Sequence, residues 1–173
     1  WKIPAEVGAV GAGGAPFDTS YWTPDVDEIE VRSCYFDDEY IFGEDGSFTN
    51  EFQDATWVEE WQGGSNACDV PVAPHDGSAT ATYSYSAGAQ SLALSGTGAY
   101  IGIPKAVNGA EIESPDQAPD QIQYNAYRNG DGSLSLTIQS KSDPVVWWNY
   151  KLVRSADVAD GAYFVIDPDE PVM

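Results

Sequence analysis

The chain alternates short runs of β-branched and aromatic residues with clusters of glycine, aspartate, asparagine and serine. Such runs are typical of strands, and such clusters are typical of tight turns. The strongest turn signal is Asn129-Gly130-Asp131-Gly132, and helical periodicity is nearly absent. The pattern predicts antiparallel β structure, with hairpins formed by residues 39–43 and 47–52, 80–85 and 92–95, and 121–128 and 133–140.

Further strands are predicted at residues 56–62, 99–103 and 145–153. About eight to ten strands are expected in all. The edges of the sheet that they form must be protected, either by packing of two sheets or by closure into a barrel. We expect an all-β fold, an antiparallel β-sandwich of the jelly-roll-like kind, with a flattened lipocalin-like meander barrel as the alternative. The segments 8–16 and 108–119, rich in glycine and proline, are predicted to be long loops.

One domain accounts for the chain. Its 173 residues suffice for a single core, and 42% of them are hydrophobic, which a disordered acidic chain would not show. We expect a module over residues 1–154. The remaining residues, 155–173, are predicted to be an acidic C-terminal strand or linker, because 162–166 is strand-like but the surroundings are acidic and contain proline.

Acidic residues dominate the charge: 28 Asp and Glu against 7 Lys and Arg give a formal net charge of −21. Such a surface repels nucleic acid and anionic lipid, so neither is expected as a partner. No apolar stretch approaches the roughly 18–20 residues of a membrane-spanning helix, and no membrane insertion is expected. Because the chain opens at Trp1 without an initiator Met, we expect an excised module of a secreted or outer-membrane surface protein.

Cys34 and Cys68 are the two cysteines of the chain. In an exported protein they predict one disulfide, which would close a loop of about 35 residues and stabilise the fold by roughly 3–4 kcal/mol. Two free buried thiols are the alternative. A closed zinc shell is not expected, because the chain adds a single histidine, His75, to the two distant cysteines.

The acidic run at residues 25–30 is the one candidate for a catalytic site of a glycoside hydrolase. A glycoside hydrolase needs two carboxyl groups at a defined separation, and strand alternation would place Asp25 and Asp27 on one face. The run resembles the acidic strand of family-16 β-glucanases, but its order does not match the Glu-x-Asp-x-x-Glu pattern. We therefore interpret it as the solvated end of a strand, and a small glycoside hydrolase with paired carboxylates stays an alternative.

His75 and Asp76 lie in a turn with Ser78. Neighbours in a turn point in divergent directions, so no catalytic triad is expected, and His75 and Asp76 are candidates for hydrogen bonds to a ligand. Acidic turns at 37–39, 44–46 and 129–132 offer oxygen ligands, so a structural calcium is possible, but none has EF-hand spacing.

Aromatic residues give the clearest functional signal. If residues 56–62 form a strand, Trp57, Glu59 and Trp61 share one face. Two indoles beside a carboxylate form a plausible sugar platform, because the CH faces of sugars stack on aromatic rings and carboxylates accept hydroxyl hydrogen bonds. The alternative is that one or both tryptophans belong to the core.

Four more residues are candidate ligand-binding groups. In the strand 145–153, Trp148 lies on the apolar face, which leaves Trp147 on the opposite, exposed face. Trp22 lies between a segment rich in glycine and proline and an acidic segment. Tyr100 and Lys105 flank a junction between strand and loop, although Lys105 is better explained as the partner of a nearby carboxylate.

Four motifs together resemble non-catalytic carbohydrate-binding modules of secreted or surface glycan-binding proteins of marine bacteria, of the kind found beside family-16 laminarinases. They are Phe-Asp-Asp-Glu-Tyr-Ile-Phe-Gly at 36–43, Thr-Trp-Val-Glu-Glu-Trp-Gln at 56–62, Ala-Pro-His-Asp-Gly-Ser at 73–78 and Gly-Ala-Tyr-Ile-Gly-Ile-Pro-Lys at 98–105. The resemblance covers residues 1–154. It implies a β-sandwich that binds a neutral polysaccharide, laminarin or another β-1,3-glucan, within a multimodular enzyme or surface glycan-binding protein.

A third class of function, the lipocalin-like carrier of a small apolar ligand, also fits an all-β chain. It requires a closed apolar cavity, for which the candidate lining residues are Phe42, Phe48, Phe52 and Tyr124.

Overall fold

The computed structural model of the protein describes residues 1–155, and their strands fall into one large sheet and two small hairpins. The large sheet contains β1 (Val10–Gly13), β2 (Glu39–Phe42), β3 (Ser47–Glu51), β6 (Ala81–Ser86), β7 (Ser91–Ser95), β10 (Gln121–Arg128), β11 (Leu134–Ser142) and β12 (Val145–Leu152). The hairpins pair β4 (Thr56–Val58) with β5 (Ala67–Asp69) and β8 (Ala106–Val107) with β9 (Ala110–Glu111). The helices are α1 (Val26–Val31) and α2 (Ser33–Phe36), with 3₁₀ turns at Glu60–Gln62 and Pro115–Gln117.

The eight strands of the large sheet are antiparallel and run in the order β2-β3-β6-β7-β10-β11-β12-β1. Apart from β1, this is the order of the sequence, as in a meander, and the sheet curls on itself. Backbone hydrogen bonds join Trp1 to Tyr40 in β2 and Lys2 to Val153 beyond β12, so the first two residues bridge the two sides of the curled sheet. The predicted all-β antiparallel class is confirmed, since a curled sheet of this kind is consistent with a sandwich or a barrel.

The three predicted hairpins are present as β2-β3, β6-β7 and β10-β11. Positive φ angles of 83° at Gly46 and 84° at Gly132 let the chain reverse in the first and third of them. The last predicted strand is β12. The predicted disulfide is also confirmed: Cys34 in α2 is bonded to Cys68 in β5, with a Cα–Cα distance of 5.9 Å.

One predicted strand is shorter than expected, and another is absent. The strand predicted at 56–62 ends at Val58, because Glu59 and Gln62 form a reciprocal capping box around the 3₁₀ turn that follows. Residues 99–103 form no strand, because their backbone bonds to side chains inside the sheet instead of to a neighbouring strand.

The acidic run at 25–30 was expected as a strand end but supplies the N-cap and the first five of the six residues of α1. Asp25 caps the helix by accepting from the Glu28 backbone N–H at 2.9 Å, and the Glu28 carboxylate accepts from the Asp25 N–H at 3.2 Å. The predicted loop at 8–16 contains β1. Its glycines are required by close packing, since a Cβ on Gly11 would lie 2.6 Å from the Trp22 carbonyl oxygen. The predicted loop at 108–119 includes β9 and a 3₁₀ turn.

The segment Ala99–Ile103 passes through the interior of the curled sheet. The Ile101 backbone N–H donates to the Tyr124 hydroxyl at 2.9 Å, and the Gly102 N–H donates to the Tyr40 hydroxyl at 3.0 Å. Gly102 has φ +84°, and a Cβ there would lie 2.1 Å from the Tyr150 ring, so only glycine fits. Buried tyrosines thus satisfy a backbone that has no strand partner, and the segment fills the inside of the sheet.

The predicted strand or linker at 155–173 lies outside the described residues beyond Ser155. Within the described part of the chain, no helix is long and apolar enough to cross a membrane.

Candidate functional site

Several of the predicted site residues meet in one group of aromatic rings and cations, the aromatic cluster, which consists of Trp22, Arg32, Trp57, Lys105 and Trp148. The Arg32 guanidinium lies 4.1 Å from the centroid of the Trp57 ring and 5.4 Å from that of Trp22. Trp22 in turn packs against Trp148, with ring centroids 5.9 Å apart, and the Lys105 ammonium lies 5.5 Å from the Trp148 ring. These cation–π and ring contacts stabilise the fold at this end of the sheet.

The proposed platform of Trp57, Glu59 and Trp61 does not share one strand face, because the strand ends at Val58. Trp57 is buried against Arg32, whereas the Trp61 indole N–H donates to the Glu59 carboxylate at 2.7 Å. Lys105 pairs with the same carboxylate at 3.3 Å, which confirms the alternative that Lys105 neutralises a nearby acid.

His75 lies between two aromatic rings, 5.7 Å from the centroid of Trp61 and 5.6 Å from that of Tyr100. Both His75 and Tyr100 are buried, and burial lowers the pKa of His75 to about 4, so the imidazole is neutral. Its Nδ1 has no hydrogen-bond partner. A ligand can reach these two side chains only if the covering residues move.

Asp76 shapes the turn in which it lies. Its carboxylate accepts hydrogen bonds from the Ser78 hydroxyl and backbone N–H, and these bonds hold its pKa below the ordinary value. The interpretation of this segment as a hydrogen-bonded turn is therefore confirmed. Asp76 also lines an open cleft of about 500 Å³, where Glu51 and Asp54 add further carboxylates.

Trp147 lies apart from the aromatic cluster, in a groove on the outer face of the sheet. The groove has a volume of about 320 Å³. We call it the amide groove, and its lining consists of Asn108, Gly109, Gln123, Asn125, Thr137, Ile138, Gln139, Lys141, Ser142 and Trp147.

The amide groove forms where two strands separate. β10 and β11 are paired from Asn125 opposite Thr137 to Arg128 opposite Leu134, but beyond Asn125 the pairing ends. The tip of the β8-β9 hairpin fills the gap. The Asn108 side chain donates to the Gln123 carbonyl at 2.7 Å and accepts from its N–H at 2.8 Å, whereas the Gly109 N–H donates to the Gln139 carbonyl at 2.9 Å.

Trp147 is held at the edge of this gap by its pairing with Gln139. Directly after Gln139, an irregularity in the pairing of β11 with β12 shifts the register by one residue, a feature that commonly re-orients side chains at binding sites. The Glu111 carboxylate fixes the hairpin to the sheet, accepting from Trp148 Nε1 and Lys141 Nζ, each at 2.8 Å. Burial raises the pKa of Glu111, but these two bonds and the positive charges of Lys141 and Lys105 together hold it below its ordinary value.

The chemistry of the amide groove differs from that of the surface as a whole. The chain has 28 acidic residues, yet no carboxylate lines the groove. Amide and hydroxyl groups dominate, with one indole and one lysine that is already paired with Glu111. By contrast, Arg128, Asp131 and Arg154 line a cleft of about 320 Å³ beside Trp1.

Sequence reasoning identified Trp147 but missed the amides around it. The available signal was the alternation in β10, where Gln121, Gln123 and Asn125 face outward and Ile122 and Tyr124 face inward. The contributions of Asn108 and Gly109 come from tertiary packing and have no local signal.

No group of three or more His, Cys, Asp or Glu residues among residues 1–155 is arranged to hold a metal ion. The chain matches no protein-family model, no curated protein and no solved structure. The function is therefore inferred from the geometry of the site.

Proposed function

We propose that the protein is a non-catalytic carbohydrate-binding module that holds a neutral polysaccharide in the amide groove. The observation that carries the proposal is the lining of this groove, which combines a tryptophan with uncharged hydrogen-bonding groups in a chain of net charge −21. Laminarin, a β-1,3-glucan, is the first ligand to test, because the sequence motifs resemble modules found beside laminarinases.

A sugar ring presents both an apolar CH face and a rim of hydroxyl groups. The Trp147 indole offers a surface for the first, and Asn125 and Gln139 offer donors and acceptors for the second. Pockets that combine aromatic area with a few fixed polar groups are typical ligand sites. No carboxylate lines the groove, and its one charged lining group, Lys141, is already paired with Glu111, so a neutral sugar desolvates no unpaired charge there.

Most other predicted ligand residues take no part in this proposal. The side chains of Trp57, His75 and Tyr100 are buried, and Glu59 is occupied by Trp61 and Lys105. The segment Ala99–Ile103 occupies the interior that a carrier of an apolar ligand would need, which makes the carrier a poorer fit.

Secretion or display at the outer-membrane surface is part of the proposal, since the Cys34–Cys68 disulfide fits an oxidising compartment. There the module would hold the polysaccharide near an enzyme or importer of the same multimodular protein and contribute affinity without cleaving bonds.

The test is affinity electrophoresis of the folded domain in gels that contain laminarin, mixed-linkage glucan, xylan or alginate. We expect retardation by one neutral glucan, and we expect Trp147→Ala to weaken this binding at least about tenfold, or about 1.4 kcal/mol. Gln139→Ala should weaken it less, because it removes hydrogen bonds but leaves the indole in place.

Matched controls come from the cleft beside Asp76. Phe52→Ala removes a half-buried aromatic ring and Gln53→Ala an exposed amide, and both residues line that cleft instead of the amide groove. Loss of binding in Phe52→Ala with retention in Trp147→Ala would place the ligand in the other cleft. Unchanged mobility of the wild type in every gel would reject glycan binding for these ligands.

A further inference from the structure

Phe17 is an exposed aromatic residue in an unfavourable backbone conformation. Its φ angle is +66°, and 54% of its surface is exposed. A positive φ is rare for a bulky residue. A large apolar ring that stays exposed also forgoes the hydrophobic free energy that burial would provide. Strain of this kind persists where the surrounding structure imposes it, and it is found most often at functional sites.

A buried side chain imposes this conformation. The Asn149 Oδ1 accepts from the Phe17 backbone N–H at 2.6 Å, and the Asn149 Nδ2 donates to the Asp18 carbonyl at 2.7 Å. Both functions of the amide are therefore used to hold the loop over β12. The Phe17 ring then contacts Tyr127 in β10 edge to face, with ring centroids 5.1 Å apart.

This position is directly beside the amide groove. Asn149 lies two residues from Trp147 on the same strand, and Tyr127 lies two residues from Asn125, which lines the groove. Residues two apart share a face of a strand and are separated by about 6.5–7 Å. The Phe17 ring therefore stands over the same outer face as Trp147. Because Tyr127 is level with Lys151 in the paired strands, the ring lies up to two strand repeats farther along and two strands across, over β10.

We propose that Phe17 is a second aromatic platform, which binds a further unit of the glycan chain whose first unit stacks on Trp147. Asn149 is the positioning residue that presents it. This inference rests on the proposed function and extends it: the site recognises an oligosaccharide rather than a single sugar, and affinity increases with chain length until Phe17 is reached.

The test measures the binding of β-1,3-gluco-oligosaccharides of increasing length, and of laminarin, by titration calorimetry. Phe17→Ala is expected to leave the affinity for the shortest binding oligosaccharide unchanged and to weaken the longer ones about fivefold or more. Phe17→Gly should show the same loss of affinity. It should unfold at a higher temperature than Phe17→Ala, because glycine adopts the positive φ without strain. Ile41→Ala, which removes an exposed apolar side chain from β2, is the control and should bind as the wild type does.

Two results would overturn the inference. A wild-type affinity that does not rise with chain length, or a Phe17→Ala affinity equal to that of the wild type at every length, would show that the ring contacts no sugar. In either case, loss of all binding in Trp147→Ala would leave the proposed function standing. Absence of wild-type binding to laminarin and all its oligosaccharides would reject both.

Discussion

Asp38 is a carboxylic acid in the core, with 2% of its surface exposed. One carboxyl oxygen accepts from the Thr56 hydroxyl at 2.6 Å, and the other has no partner. Burial raises the pKa of Asp38 from its ordinary value of 3.8 to about 8. At neutral pH the folded protein therefore keeps a proton that the unfolded chain has released.

Replacement of Asp38 by asparagine removes this titration and keeps an oxygen for Thr56. Between the two pKa values the folded state binds one more proton than the unfolded state, so the free energy of unfolding of the wild type falls by about 1.4 kcal/mol per pH unit as pH rises. The loss reaches about 4 kcal/mol at pH 7, since roughly three pH units separate pH 7 from the ordinary pKa. Asp38→Asn should therefore become more stable relative to the wild type as pH rises.

Urea unfolding at pH 5, 6, 7 and 8 measures the free energy of unfolding of both proteins. The difference between them should grow by about 1–1.4 kcal/mol per pH unit up to pH 7 and level off above pH 8. His75, which burial keeps neutral, contributes equally to both and cancels. Asp54→Asn, at an exposed position, is the control. A difference that is constant across this pH range would refute the assignment of a protonated Asp38.

Two further predictions concern stability. Reduction of the Cys34–Cys68 disulfide should lower the free energy of unfolding by about 3–4 kcal/mol, measured as a shift of the urea midpoint with and without reductant, and an unchanged midpoint would contradict it. Gly102→Ala should cost at least about 3 kcal/mol because its Cβ would overlap the Tyr150 ring, whereas Gly132→Ala, at the same φ but in open space, should cost only about 1 kcal/mol; equal losses in thermal unfolding would argue against a filled interior.

Local sequence patterns predicted most strands of the large sheet and the turns between them. Alternation between outward polar and inward apolar residues marks β10, β11 and β12, and Gly46 and Gly132 mark the turns between paired strands. Each of these signals acts over a few residues, so it survives any arrangement of the rest of the chain. The disulfide was predicted from the cysteine count together with the expectation of an exported module, because two cysteines leave one pairing.

The errors share a cause. Residues 99–103 have the composition of a strand, but their hydrogen bonds go to three tyrosines on strands that are distant in sequence. The segment 8–16 has the composition of a loop, but residues 10–13 form β1 because they pair with β12, with Val10 opposite Tyr150 and Gly13 opposite Trp147. In both cases the deciding partner lies far along the chain, where no local pattern records it.

Some features of the candidate site could likewise be predicted from local sequence, and others depend on tertiary contacts. The sequence by itself placed Trp147 on the outer face of a strand, because side chains alternate along strands whatever the tertiary fold. It also determines the net charge of −21, which disfavours anionic ligands. Only the tertiary structure decided that β10 and β11 separate, that the hairpin tip at Asn108 fills the gap, and that Asn149 presents Phe17 beside it. These features depend on contacts between distant segments, whose free energies are set by packing and hydrogen bonding in three dimensions.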